Sequence, residues 1–191
     1  MNKTLKTVLI VGGAVAGAAV YALIDRTIDA PSTVDAVDLD RYAGRWYEIA
    51  RYPNRWQRRC AGEATTTYSP PAKGKLKLVN SWRKFDGAWE RTEATARVVE
   101  KRTNAKLKVS FFWPVPGDYW ILDLGQDYEY AVIGEPTRRY LWVMSRTPQI
   151  AAAKYQEIVT RLEARGFDTA RLVRTRQNAA ISNQHSALSQ T

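Results

Sequence analysis

The sequence has few of the residues from which covalent and metal-dependent sites are built. It contains one cysteine, Cys60, and one histidine, His185, among 191 residues. An intrachain disulfide and a histidine-containing zinc cluster are therefore excluded. Catalysis by a Ser-His-Asp or Cys-His arrangement would depend on His185, which lies in residues 178–191, a stretch of Ala, Ser, Asn and Gln without periodicity. That composition predicts a disordered tail, and we expect no cofactor, no metal ion and no catalytic residues.

Acidic residues are also scarce relative to basic ones. Lys and Arg total 29 against 19 for Asp and Glu, which gives a formal charge of +10. Such a surplus favours anionic partners such as lipid head groups, glycans or nucleic acid, without choosing among them. The 45% hydrophobic content is enough for a sizeable core, so wholesale disorder is excluded.

Only one long uncharged run is present, at residues 8–24, and Lys3 and Lys6 precede it. As a helix it would span about 25 Å, slightly less than a bilayer core of about 30 Å. Residues 1–26 are therefore interpreted as a signal peptide or as a signal-anchor transmembrane segment, followed by a polar linker at 27–37. The lysines keep the N-terminal end in the cytoplasm, which places the rest of the chain on the outer side of the membrane.

Residues 46–177 predict an all-β fold with one helix near the end. Turn signals such as Lys73-Gly74, Asp86-Gly87 and Pro116-Gly117 separate short strand-like runs. Eight strands are predicted, at 46–52, 62–69, 75–82, 89–98, 106–112, 119–124, 129–134 and 140–146. Regular spacing and short connections favour an eight-stranded up-and-down antiparallel β-barrel, because closure removes exposed edges, with a sandwich as the competing arrangement.

A C-terminal α-helix follows the predicted strands. Thr147 is suited to its N-cap, Pro148 to its first position and Gly166 to its C-terminal stop. Its apolar positions recur on one face, which predicts packing against the outside of the barrel. A last strand is expected at 171–176.

Several motifs resemble those of the lipocalin family, in the family's order and over about residues 38–177. Gly44-Arg45-Trp46 resembles the Gly-x-Trp signature, Asp127-Tyr128 precedes a strand, and residues 140–146 (YLWVMSR) resemble the last barrel strand. The phrases at 46–51 (WYEIAR), 108–112 (KVSFF) and 145–148 (SRTP) are most similar to bacterial outer-membrane lipocalins and apolipoprotein D-like members. The lipoprotein cysteine of many bacterial members and the disulfides of apolipoprotein D have no counterpart here.

The resemblance implies two groups of barrel residues. The first is a structural base at the closed end, in which the indole of Trp46 is covered by Arg146, together with Gly44, Asp127 and Tyr128. The second lines a ligand cavity, and strand alternation adds Trp82 and Met144 to the positions that match the family. The predicted ligand-binding residues are Tyr68, Asn80, Trp82, Phe111, Tyr119, Trp142 and Met144.

The loop after the first strand is expected at the open mouth of the barrel. It carries Arg55, Trp56, Arg58 and Arg59, whose charge and indole suit the head groups of an anionic membrane. A solvated basic loop is the alternative interpretation.

Together these features imply a lipid-binding lipocalin, not an enzyme, that holds or transports a fatty acid, lysophospholipid or similar amphiphile for membrane lipid storage or maintenance. The resemblance places it on the periplasmic side of a bacterial membrane, anchored or secreted, and a homodimer is left open. Two alternatives remain: a lipid-modifying enzyme that uses Cys60, and a basic polyanion-binding module. No nucleic-acid motif is recognised, so nucleic acid is not an expected partner.

Overall fold

Eight antiparallel strands follow one another along the chain and close into a barrel. The computed structural model describes residues 30–111 and 116–178. The predicted N-terminal hydrophobic helix and nearly all of the predicted tail lie outside these residues. The helices and strands are α1 (Leu39–Tyr42), β1 (Gly44–Arg51), β2 (Cys60–Tyr68), β3 (Lys75–Lys84), β4 (Trp89–Val98), β5 (Lys106–Ser110), β6 (Gly117–Leu124), β7 (Tyr130–Gly134), β8 (Leu141–Ser145), α2 (Ala152–Ala164) and β9 (Val173–Arg174).

The barrel closes because β1 pairs with strands on both sides. Each strand pairs antiparallel with the next from β1 to β8, and β1 also pairs with β8. The eight-stranded barrel is thereby confirmed over the sandwich, and the predicted strand limits agree with the observed ones to within two residues. The ninth strand, β9, is shorter than predicted and pairs with Ala50 and Arg51 of β1.

Alternate connections of this meander lie at the same end of the barrel. The connections after β1, β3 and β7 and the end of β5 form one end, which we call the mouth. Helix α1 covers the other end, where Val37 N donates to Thr103 O at 2.7 Å and Asp38 N donates to the Tyr128 hydroxyl at 2.8 Å. We call this the closed end.

A β-bulge in β1 changes which side chains face the interior. Glu48 is opposite Met144, but the register then shifts, so that Arg51 is opposite Trp142. Residues directly opposite one another in a ladder project to the same face. Glu48 and Arg51 therefore face the interior together with Met144 and Trp142. In a regular strand, side chains three residues apart would point to opposite faces.

Two apolar clusters hold the fold together, one inside the barrel and one between the barrel and α2. In the inner cluster Trp46 and Ile121 are fully buried. In the outer cluster Ile158 and Leu162 of α2 are buried against residues of the barrel wall that include Val132 and Val143. The predicted packing of one helix outside the barrel is confirmed.

The start of α2 differs from the prediction. The helix begins at Ala152 after an N-cap residue, Ala151, that makes no side-chain cap bond. Thr147 does not cap the helix, because its hydroxyl donates to Gln149 O at 2.6 Å in a preceding non-helical segment. At the other end Gly166 has φ +77°, and its N–H donates to Glu163 O at 2.9 Å, which ends the helix where the sequence predicts.

Candidate ligand-binding site

The closed end is sealed by Arg146 and Trp46. The Arg146 guanidinium carbon lies 3.9 Å from the centroid of the Trp46 ring, a distance typical of cation–π contact. Arg146 also donates to Ala43 O at 2.9 Å and to Arg45 O at 3.1 Å, while the Trp46 indole N–H donates to Tyr42 O at 2.8 Å. These contacts join β8 to α1 and to the start of β1.

The other predicted base residues surround this pair. Gly44 has φ +94°, and a Cβ there would lie 3.3 Å from Arg146 Nη1, so glycine suits both the backbone and the close approach. The centroid of the Tyr128 ring lies 4.2 Å from the guanidinium carbon of Arg41. The Tyr128 hydroxyl accepts a hydrogen bond from Asp38 N. Asp127 is exposed in the adjacent turn, and its N–H donates to a Glu129 carboxylate oxygen at 3.2 Å.

Three tyrosines occupy the interior above this base. The Tyr119 hydroxyl lies 2.7 Å from the hydroxyls of both Tyr42 and Tyr68. Burial raises the pKa of Tyr68 to about 12 and raises the pKa values of Tyr42 and Tyr119 well above their usual value. Tyr68 and Tyr119 were predicted to line the cavity, whereas Tyr42 comes from α1 and was not.

Burial of the inward-facing side chains decreases from the closed end to the mouth. Along β5, Leu107 is 3% exposed and Val109 is 8% exposed. Along β4, Ala96 is 1% exposed, whereas Thr92, nearer the mouth, is partly exposed. Burial on the inward faces of these two strands therefore decreases towards the mouth, while Glu48, Cys60 and Trp82 on the neighbouring strands remain buried.

The other predicted cavity residues lie in the mouth half or at its floor. Asn80 is opposite Thr66 and Thr92 in the ladders and accepts from the Thr66 hydroxyl at 2.8 Å. Trp82 and Met144 are buried on the same inward faces as Asn80 and Trp142, respectively. Phe111 does not join this group, because it is exposed at the end of β5. The predicted residues thus share the interior, except Phe111.

A polar network occupies the mouth half beside Trp142. Gln57, from the loop after β1, donates through Nε2 to Glu48 Oε2 at 2.6 Å and accepts from the Trp142 indole at 3.0 Å. Arg51 Nη1 donates to Glu48 Oε1 at 2.7 Å and to the Thr175 hydroxyl at 3.0 Å. This network was not predicted from the sequence. Strand alternation from the inward-facing Trp46 predicts that Glu48 also faces the interior. The β-bulge gives Arg51 the opposite orientation from the one that alternation predicts.

Cys60 is buried close to this network. Its side chain packs with Ala64 and Trp82, and its Sγ–H donates to Gly62 O at 3.9 Å. Burial raises the pKa of the thiol and Glu48 raises it further, while Arg51 lowers it. The thiol is therefore less acidic than a free cysteine, the opposite of what nucleophilic catalysis requires.

Exposed aromatic and basic side chains gather at the mouth. Trp56 is 60% exposed, and the centroid of its ring lies 3.9 Å from the guanidinium carbon of Arg55. Phe85, in the connection after β3, is 77% exposed, and with Arg59, Lys84 and Asp86 it lines a surface pocket of about 230 Å³. Within residues 30–111 and 116–178, no helix has the length and apolarity that a bilayer span requires.

Comparison with known proteins identifies the family. The lipocalin-like domain matches residues 37–177. This chain belongs to the lipocalin family. It is 37% identical over 147 residues to the outer membrane lipoprotein Blc of Escherichia coli K12, covering 76% of this chain and 82% of that protein. It is 36% identical over 154 residues to temperature-induced lipocalin-1 of Arabidopsis thaliana, with the same coverages of 76% and 82%.

More distant relatives are consistent with this assignment. Apolipoprotein D of Macaca fascicularis is 29% identical over 157 residues, covering 77% of this lipocalin and 80% of that protein. Insecticyanin from Manduca sexta superposes with a TM-score of 0.64 at 19% identity, covering 78% and 86% of the two chains. The resemblance to bacterial outer-membrane lipocalins and apolipoprotein D is confirmed, and the insecticyanin structure shares the fold.

Proposed function

We propose that this lipocalin holds a single-chain amphiphile, such as a fatty acid or a lysophospholipid, with its acyl chain in the mouth half of the barrel. The observation that carries the proposal is the gradient of burial along the inward face of β4, in which Ala96 is 1% exposed, Ala94 is 8% exposed and Thr92, nearer the mouth, is partly exposed. An acyl chain that enters at the mouth meets Trp142 and Met144 and stops above the hydrogen-bonded tyrosines.

The chemistry of the lining supports an acyl chain. Aromatic and aliphatic side chains predominate, and burial of each methylene stabilises a complex by about 0.8 kcal/mol. Affinity then depends more on chain length than on the head group. The protein acts by partition and retention, because the buried Cys60 thiol has a raised pKa and offers no activated nucleophile.

The mouth supports exchange of the amphiphile with a membrane surface. Arginine binds phosphate and carboxylate groups, and tryptophan is suited to the head-group region of a bilayer. Arg55, Trp56, Arg58 and Arg59 present both chemistries beside the opening. The relative in Escherichia coli is named an outer membrane lipoprotein, and we place this lipocalin on the periplasmic side of a bacterial membrane, where it stores or maintains membrane lipid.

A pair of threonine substitutions on β4 tests the location of the ligand. Thr92 faces the interior opposite Asn80, whereas Thr95 is exposed on the outer face. Thr92→Phe fills the mouth half and is expected to weaken fatty-acid binding by about tenfold or more, while Thr95→Phe leaves it unchanged. Titration of both variants against a fluorescent fatty acid measures this. Equal affinities for the wild type and Thr92→Phe would contradict binding inside the barrel.

A further inference from the structure

Two buried hydrogen-bond donors on inward-facing side chains of the mouth half have no partner among the described residues. They are the Nε of Arg51 and the Nε1 of Trp82, both fully shielded from solvent. Trp82 as a whole is only 6% exposed. An indole N–H can donate but not accept, and buried donors in folded proteins nearly always have a partner. These two groups therefore indicate an acceptor that is not part of the described chain.

The two donors are carried by the same side of the barrel. Arg51 is on β1 opposite Trp142 and faces the interior. Trp82 is on β3 in phase with Leu78, a buried member of the inner cluster. Between them along the wall, Cys60 of β2 packs against Trp82, and the charge of Arg51 lowers the pKa of its thiol.

The surroundings favour an uncharged acceptor. The charge of Arg51 is already matched by Glu48, whose carboxylate lies 2.7 Å from Arg51 Nη1 and is itself buried. An additional carboxylate or phosphate at this depth would be an uncompensated charge in a medium of low dielectric constant. A carbonyl oxygen accepts from N–H donors without adding a charge.

We propose that Arg51 Nε and Trp82 Nε1 form a subsite for the ester carbonyl oxygen of a single-chain lipid, at the junction between its acyl chain and its head group. This inference rests on the proposed function and adds a specificity that the function alone does not require. In this arrangement the acyl chain extends towards the tyrosine cluster, and the head group remains at the basic mouth.

A pair of lipids that differ only in the carbonyl tests the subsite. The probes are 1-acyl and 1-O-alkyl lysophosphatidylcholine of the same chain length, titrated into the full-length protein below their micellar concentrations. One hydrogen bond to the carbonyl predicts that the wild type binds the ester about three- to tenfold more tightly than the ether. Equal affinities, or binding of neither lipid by a protein that still binds a fluorescent fatty acid, would overturn the subsite alone. Failure to bind any of the three would refute both the subsite and the proposed function.

Two variants assign the preference to the named donors. Trp82→Phe keeps an aromatic ring and removes the N–H, while Arg51→Lys keeps a cation for Glu48 and removes Nε. Each is expected to lower the ester-to-ether ratio, and the two together are expected to bring it close to one. Trp120→Phe is the matched control, because Trp120 packs with the outer cluster, and it should keep the wild-type ratio. A wild-type ratio in both Trp82→Phe and Arg51→Lys would overturn the assignment. A general loss of stability weakens the binding of both lipids alike, so it does not by itself lower the ratio of their affinities.

Discussion

The Arg146 guanidinium carbon lies 3.9 Å from the Trp46 ring centroid, across the closed end of the barrel. The same side chain donates to the backbone carbonyls of Ala43 and Arg45 and, through Nε at 3.3 Å, of Tyr128. One side chain from the last barrel strand thus holds the first strand, the preceding helix and the β6–β7 turn together.

The first prediction concerns this contact and stability. Arg146→Lys keeps the charge but loses the planar fork that reaches several carbonyls at once, and we expect the free energy of unfolding to fall by about 2 kcal/mol. Arg45→Lys, an exposed change on the neighbouring strand, should change it by less than about 0.5 kcal/mol. Urea denaturation measures both. Similar values for the two variants would show that the Arg146 contacts contribute little to stability.

The second prediction concerns the tyrosine cluster at alkaline pH. The pKa of Tyr68 is raised from 10.0 to about 12. The folded state therefore retains protons that the unfolded state loses, so this contribution to stability is complete below pH 10 and disappears as pH rises towards about 12.

A spectrophotometric titration of the tyrosines, repeated in denaturant, checks this. In the folded protein the absorbance of the cluster should rise only together with the loss of near-ultraviolet circular dichroism. In denaturant all ten tyrosines should titrate near their ordinary pKa. Complete ionisation at the ordinary pKa with the fold intact would contradict burial of the cluster.

The third prediction concerns the mouth and membranes. Reversing two charges there, with Arg55→Glu and Arg58→Glu together, should lower co-sedimentation with anionic vesicles by about tenfold or more, since each basic residue near such a surface contributes about 1 kcal/mol. The control is Arg97→Glu with Arg102→Glu, which makes the same change in net charge towards the closed end. An equal loss in both double variants would indicate attraction by net charge, not docking through the mouth.

The fold was predictable because its signals are local. Turn residues such as Lys73-Gly74 and Asp86-Gly87 separate runs of strand length, and eight strands with short connections favour a closed meander over a sandwich. The inward phase of Asn80 and Trp142 was implied by the resemblance to the lipocalin family, and strand alternation extended it to Trp82 and Met144.

Features that depend on tertiary contacts were not predictable. The bulge after Glu48 turns Arg51 inward against the simple alternation. Gln57 lies in a loop, where no periodicity indicates its orientation, yet it reaches Glu48 and Trp142. Thr147 has the chemistry of a helix cap, but its hydroxyl bonds to Gln149 O and the helix starts later. Phe111 has the expected phase, but its position at the end of β5 leaves it exposed.

The dependence of affinity on acyl-chain length tests the central claim most directly. For single-chain amphiphiles with a constant head group, we predict that affinity rises roughly fourfold with each added methylene, about 0.8 kcal/mol, until the chain reaches the tyrosine cluster and the gain stops. In Thr92→Phe the gain should stop at a shorter chain. An affinity independent of chain length from the shortest lipid onward would contradict a chamber for the acyl chain inside the barrel.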